Sequence, residues 1–153
     1  MARRTMTPSS TASRRKVFVD TGGWYGVTSI EDRQHEASVQ YYKDTLLSGA
    51  LLITSDYVLD ETLTRLRYDF GHAVAMVFWE RIVLAEKMKR LIVLRVDTDV
   101  WTEAINIFSR FEDQDFSFTD CTSFVLAQRE KASEVFAFDH HFRQFGLILQ
   151  PAQ

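Results

Sequence analysis

The chain has a single cysteine among 153 residues, Cys121, so no internal disulfide can form. A thiol without a partner suits a reducing, cytoplasmic interior better than a secreted framework. No apolar stretch approaches the roughly 20 residues that a membrane-spanning helix needs, so the protein is expected to be soluble. Asn-Gly and Asp-Gly hairpin dipeptides are absent, which argues against a sheet built from hairpins. No internal repeat is present, nor any linker after Lys16, and the length is that of one ordinary domain. Acids are missing from the first sixteen residues, which carry Arg3, Arg4, Arg14, Arg15 and Lys16. What remains holds 13 basic against 21 acidic residues, about −8. Such a body does not attract a polyanion over its whole surface, so nucleic-acid binding would have to be local. Residues 1–16 are read as a disordered basic tail and 17–151 as the folded domain.

Two short apolar runs stop on an aspartate: Val17-Phe18-Val19-Asp20, and Val135-Phe136-Ala137-Phe138-Asp139. Runs of this kind are buried strands of a parallel sheet. Ligands of open α/β sheets bind beyond the carboxyl ends of the strands, so the two acids can meet in one crevice. Between them the pattern predicts a helix over 32–47 capped by Asp32, a strand at Leu51–Thr54, and a helix capped by Ser55 or Asp56. Leu59, Leu63, Leu66 and Phe70 form the buried stripe of that helix, and Gly71 ends it. A helix over 73–90 with Met76, Val77, Phe78, Ile82, Val83 and Leu84 inward comes next. A strand at Leu91–Leu94, a helix over 97–111 and a loop over 112–115 follow. Thr119 is expected to cap a helix through Glu130, and Leu147–Leu149 is an edge strand. Thr21-Gly22-Gly23 reads as a turn. Strands alternating with helices predict an α/β fold.

Asp120 in a first helical turn is favoured by the helix dipole whatever its role. Asp20 and Asp139 have no such excuse, although a turn motif could hold either. Glu61 lies opposite the leucine stripe, on a face shared with Tyr57, Thr64 and Tyr68. Four converging carboxylates would repel one another unless a divalent cation neutralised them. Oxygen donors select a hard ion, Mg²⁺ or Mn²⁺, which meets its substrate through phosphate oxygens and suits phosphodiester hydrolysis. Cys121 lies within an apolar helical face, so no protein nucleophile is suggested.

At these residues the chain resembles the PIN-domain ribonucleases, specifically VapC-type toxins of toxin-antitoxin pairs. The resemblance rests on Val19-Asp20-Thr21-Gly22, Asp32-x-x-His35, Val58-Leu59-x-Glu61-Thr62, Asp113-x-Asp115-x-Ser117-Phe118-Thr119-Asp120 and Phe138-Asp139-x-x-Phe142-x-x-x-Gly146. It implies a three-layer α/β/α sandwich around a parallel sheet of four to five strands. It also implies Mg²⁺- or Mn²⁺-dependent cleavage of RNA by Asp20, Glu61, Asp120 and Asp139, with Asp20, Asp120 and Asp139 holding the metal. A cognate antitoxin and a homodimer are implied as partners, and Thr21 and Thr119 match hydroxyl positions beside the acids. Gly22 stands where many members carry Asn or Ser.

Asp139-His140-His141 is also the signature of another Mn²⁺ phosphoesterase superfamily, whose further aspartate motifs are missing. His140 and His141 are read as first-turn residues at the pocket rim. A non-catalytic PIN-like module that binds RNA or protein is the alternative. Arg65, Arg67, Arg81, Arg110, Arg129 and Arg143 are candidates for phosphate contacts.

Overall fold

The computed structural model describes residues 13–152. Most of the expected basic tail therefore lies outside the described residues. Its last part joins the body: Arg14 donates from Nε to the Gly49 carbonyl (3.0 Å) and from Nη1 to the Lys89 carbonyl (3.1 Å), and Lys16 opens the first strand.

Five strands, β1 (Lys16–Val19), β2 (Leu51–Ser55), β3 (Leu91–Leu94), β4 (Glu134–Phe136) and β5 (Leu149–Gln150), pair in the order β3-β2-β1-β4-β5, parallel throughout. Val17, Phe18 and Val19 are successive strand residues, so they point to alternate faces, and all three are fully buried. Both faces are thus covered, which is the three-layer α/β/α sandwich. The covering helices are α1 (Thr21–Thr28), α2 (His35–Leu47), α3 (Asp56–Phe70), α4 (His72–Lys87), α5 (Thr98–Arg110) and α6 (Phe118–Arg129), with a 3₁₀ turn at His140–Phe145. Strand order reverses between β1 and β4, since the chain leaves β1 toward β2 on one side and returns to β4 on the other. A crevice opens at such a switch point.

Several local expectations are corrected. Thr21-Gly22-Gly23 begins a helix rather than a turn, and Gly23 serves close approach. A Cβ on Gly23 would stand 2.4 Å from the Phe136 carbonyl oxygen, and one on Gly26 would stand 2.3 Å from Ser38 Oγ. Helix α2 starts at His35; Asp32 instead accepts from the Gln34 N–H (2.7 Å) in the preceding turn. Ser117, not Thr119, caps α6. In α4 the buried residues are Ala75, Phe78 and Ile82, while Met76, Val77 and Leu84 are exposed. Ser55 caps α3, and Gly71 stops it with φ of 91°, a conformation glycine adopts without strain.

Candidate active site

Asp20 immediately follows β1, and its N–H donates to the Phe136 carbonyl (3.0 Å), carrying the β1–β4 pairing one residue further. Its carboxyl is therefore fixed over the seam where strand order reverses, and the residue is only 7% exposed. Asp139, three residues beyond β4, accepts from the His141 N–H (3.0 Å) at the start of the 3₁₀ turn. Asp120 belongs to a reciprocal cap: Ser117 Oγ accepts from the Asp120 N–H (3.0 Å), and Asp120 Oδ2 accepts from the Ser117 N–H (3.0 Å). Asp120 thus caps α6 while its carboxylate lies near that of Asp139, so the two readings that the sequence left as rivals are compatible. Glu61 stands in α3, on the wall formed where α3 meets α6.

The electrostatics tie the four acids together. Burial, then Asp120, and after them Glu61 and Asp139, push the Asp20 carboxyl up to about 8, against a backbone hydrogen bond from Thr21 that lowers it. Desolvation raises Asp120 first, with Asp139 adding to it and Ser117 opposing. Glu61 sits at the exposed rim, yet its carboxyl is partly desolvated and is raised by that and by Asp120. Ligand atoms of Asp120, Asp139 and His141 lie within 4.8 Å of one another; Asp20 and Glu61 stand outside this tightest group while their charges act on it. The arrangement fits a divalent cation on the chemistry of its donors: carboxylates that raise one another's pKa gain when a positive ion sits among them. A further oxygen is to hand, because the buried Thr21 hydroxyl, which holds Glu61 down slightly, makes no well-directed hydrogen bond among the described residues.

His141 is the site member that sequence reasoning undervalued. Its Nδ1 is 3.0 Å from Asp139 Oδ1, and its ring packs edge-on against Phe116 at 5.0 Å. The only signal was the Asp139-His140-His141 run, in which a tight 3₁₀ turn folds the second histidine back over the acid. His140 is exposed, as are Asp113 and Asp115 in the loop before α6. Cys121 is fully buried, with its thiol pushed up to about 11 by desolvation and by Asp120, so it is no nucleophile.

Fold and site together define an α/β protein that gathers carboxylates at one strand-end crevice. The chain belongs to the PIN-domain family, whose sequence profile matches residues 17–147. Its relatives are VapC-type proteins. The 23S rRNA-specific endonuclease VapC20 of Mycobacterium tuberculosis is 27% identical over 135 residues, covering 86% of this chain and 95% of that one. The crystal structure of VapC20, described as a sarcin-ricin loop cleaving toxin, matches with a TM-score of 0.75 at 26% identity over 86% of this chain and 96% of that one. A VapC ribonuclease of Archaeoglobus fulgidus is 31% identical over 128 residues, 82% of this chain and 78% of the other. VapBC2 of Rickettsia felis, solved with a promoter DNA fragment, shares the fold at a TM-score of 0.63 and 13% identity, covering 88% of this chain and 97% of that one.

Proposed function

We propose that the protein is a metal-dependent endoribonuclease, the toxin of a pair whose antitoxin holds it inactive in the cytoplasm. The observation that carries this reading is Asp20: a buried carboxyl at the switch point, forced up to about 8 by burial and by three further acids. A buried carboxyl whose charge is disfavoured by its setting, beside three further acids at a strand-end crevice, is the pattern of a functional site. Asp20, Asp120 and Asp139 would hold Mg²⁺ or Mn²⁺, with His141 beside them. When bound, the ion supplies charge neutralisation, polarisation of a phosphodiester and acidification of water.

The chain's own groups do the rest. The Phe136 carbonyl and the Ser117 cap fix Asp20 and Asp120 through backbone contacts, so the acids need no reorganisation when substrate arrives. Glu61, at the rim with its carboxyl raised, is the group suited to take the proton of an attacking water. The relatives named as endonucleases support an RNA substrate. A non-catalytic RNA- or protein-binding module is disfavoured by the retention of all four acids.

Among the described residues no helix is long and apolar enough to cross a membrane. Apolar surface is left instead for protein partners. A concave groove of about 400 Å³ between α2 and α4, lined by Tyr42, Leu46, Leu47, Leu84 and Met88, suits a linear apolar segment of the antitoxin. The outward face of α5, with Trp101, Ile105 and Phe108 each over two-fifths exposed, suits a second copy in a homodimer.

The test is cleavage of a generic single-stranded RNA with Mg²⁺ or Mn²⁺, and with EDTA. Cleavage should require the metal and vanish in Asp20→Asn; an Asp20→Asn protein that cuts at the wild-type rate would end the reading. Metal at a hundred times its Kd should stabilise the fold by about 2.7 kcal/mol, read as a rise in Tm that EDTA reverses.

A further inference from the structure

A cleft of about 490 Å³ runs from Glu61 along α3, lined by Asp60, Glu61, Thr64, Arg65, Tyr68 and Asp69, with Thr119 of α6 facing them. Glu61, Arg65 and Tyr68 recur at i, i+4 and i+7, so one helical face begins at the acids and continues outward. The cleft thus joins a carboxylate, a guanidinium and an aromatic ring in that order.

Arg65 is held in an unusual way. Its guanidinium carbon lies 3.7 Å from the centroid of the Tyr25 ring, a cation–π stack that fixes the plane of the group. Asp69 pairs with it only at ion-pair distance: Asp69 Oδ2 lies 3.8 Å from Arg65 Nε, too long for a hydrogen bond, and accepts from the Tyr25 hydroxyl at 2.6 Å. Among the described residues Arg65 donates no side-chain hydrogen bond of good geometry. Stacking positions it and leaves its N–H fork open, which is the state suited to bidentate capture of a phosphate. Of the other arginines raised from sequence, Arg129 is tied to Glu103 and Arg67 to His72 (2.9 Å), and Arg81 lines cavities on α4 remote from the acids. Arg65 alone among them lines the cleft that contains Glu61.

Tyr68 is 82% exposed, one turn beyond Arg65 on the same wall. An aromatic face presented to solvent beside an open guanidinium matches the demands of single-stranded nucleic acid, a phosphate and a stackable base. A protein partner would be expected to bury apolar neighbours here, and the cleft has none besides the tyrosine.

We infer that Arg65 and Tyr68 form a nucleotide subsite beside the four acids, Arg65 gripping the phosphate next to the scissile one and Tyr68 stacking its base. The inference rests on the ribonuclease reading for the word scissile, but the subsite is testable by binding alone. At a rise of about 1.5 Å per residue, the three residues from Arg65 to Tyr68 span about 4.5 Å of the helix axis, within reach of the phosphate and base of one nucleotide.

The experiment is fluorescence anisotropy of a labelled short single-stranded RNA with the full chain in EDTA, beside a cleavage assay with metal. Tyr68→Ala should weaken binding roughly five- to hundredfold while Tyr68→Phe binds as wild type. Arg65→Ala should weaken binding and lower the slope of log K against log salt by about 0.7, the loss of one phosphate contact. Arg65→Lys should keep the salt slope yet bind more weakly, because it lacks the fork. Tyr68 is exposed and its variants fold whatever happens at Arg65. Wild-type binding in both Tyr68→Ala and Arg65→Ala, or no RNA binding by the wild type, overturns the subsite. Unimpaired variants in a chain that cleaves would leave the nuclease reading standing. Impaired binding in a chain that never cleaves would leave the subsite standing and remove the nuclease.

Discussion

Asp20 shows how a residue's place can set its chemistry. Anchored by its backbone to β4 and surrounded by acids, its carboxyl is raised from the usual carboxylate range to about 8. An acid whose folded pKa lies above its unfolded value binds more protons folded than unfolded, so its contribution to stability falls as pH rises between about 4 and 8. Asp20→Asn removes that penalty. In metal-free protein the variant should melt a few degrees higher than wild type at pH 8, at about 2–4 °C per kcal/mol, and the gap should close toward pH 4. A thermal scan against pH in EDTA reads this directly, and a variant that melts lower at pH 8 would contradict the assigned burial. Glu61 and Asp120 are shifted the same way, so the site as a whole favours alkaline destabilisation when no cation is bound.

At the scale of the element, α1 and α6 deliver the site by opposite devices. Helix α6 is held by the Ser117–Asp120 cap, in which one site oxygen also satisfies a backbone donor. Ser117→Ala should cost about 1 kcal/mol in stability. It should also lower kcat more than that loss explains, since Asp120 loses its fixed orientation; equal kcat at full folding would show that the cap is only structural. Helix α1 is held by contact, with Gly23 against the Phe136 carbonyl. Gly23→Ala places a methyl into that backbone and should destabilise by about 1–3 kcal/mol in urea unfolding. The same push displaces α1 from β4, and Asp20 lies between them. The Thr21-Gly22-Gly23 segment is helical where its sequence suggests a turn, because glycine's flexibility is visible in sequence and the need for a small residue at Gly23 against a neighbouring strand is not.

For the whole molecule, the sandwich leaves the amphipathic α5 with an uncovered apolar side. Trp101 and Phe108 of α5 pack on Phe118 at 4.5 and 6.1 Å, and Phe118 opens the helix that carries Asp120. Self-association through this face would therefore brace the site from outside. A Trp101→Glu, Phe108→Glu double variant should sediment as a monomer where wild type sediments as a dimer, with unchanged far-UV circular dichroism. A wild type that is monomeric at all concentrations would remove the homodimer.

The sequence by itself determined the strands and most of the helices, and it named Asp20, Glu61, Asp120 and Asp139 as candidates for one crevice. Apolar runs ending in aspartate and alternating with helical patterns suit a doubly covered parallel sheet, whose strand ends face a common side. It also narrowed the α3 cap to Ser55 or Asp56 and specified the Gly71 stop, which depend on neighbours along the chain. Only the tertiary structure decided that Asp120 both caps and converges, that His141 folds over Asp139, and that Met76, Val77 and Leu84 face outward. It alone set Arg65 apart from the other arginines, through a ring forty residues away in the chain. Burial and charge coupling are sums over partners distant in sequence, and no local pattern encodes them until the chain has closed on itself.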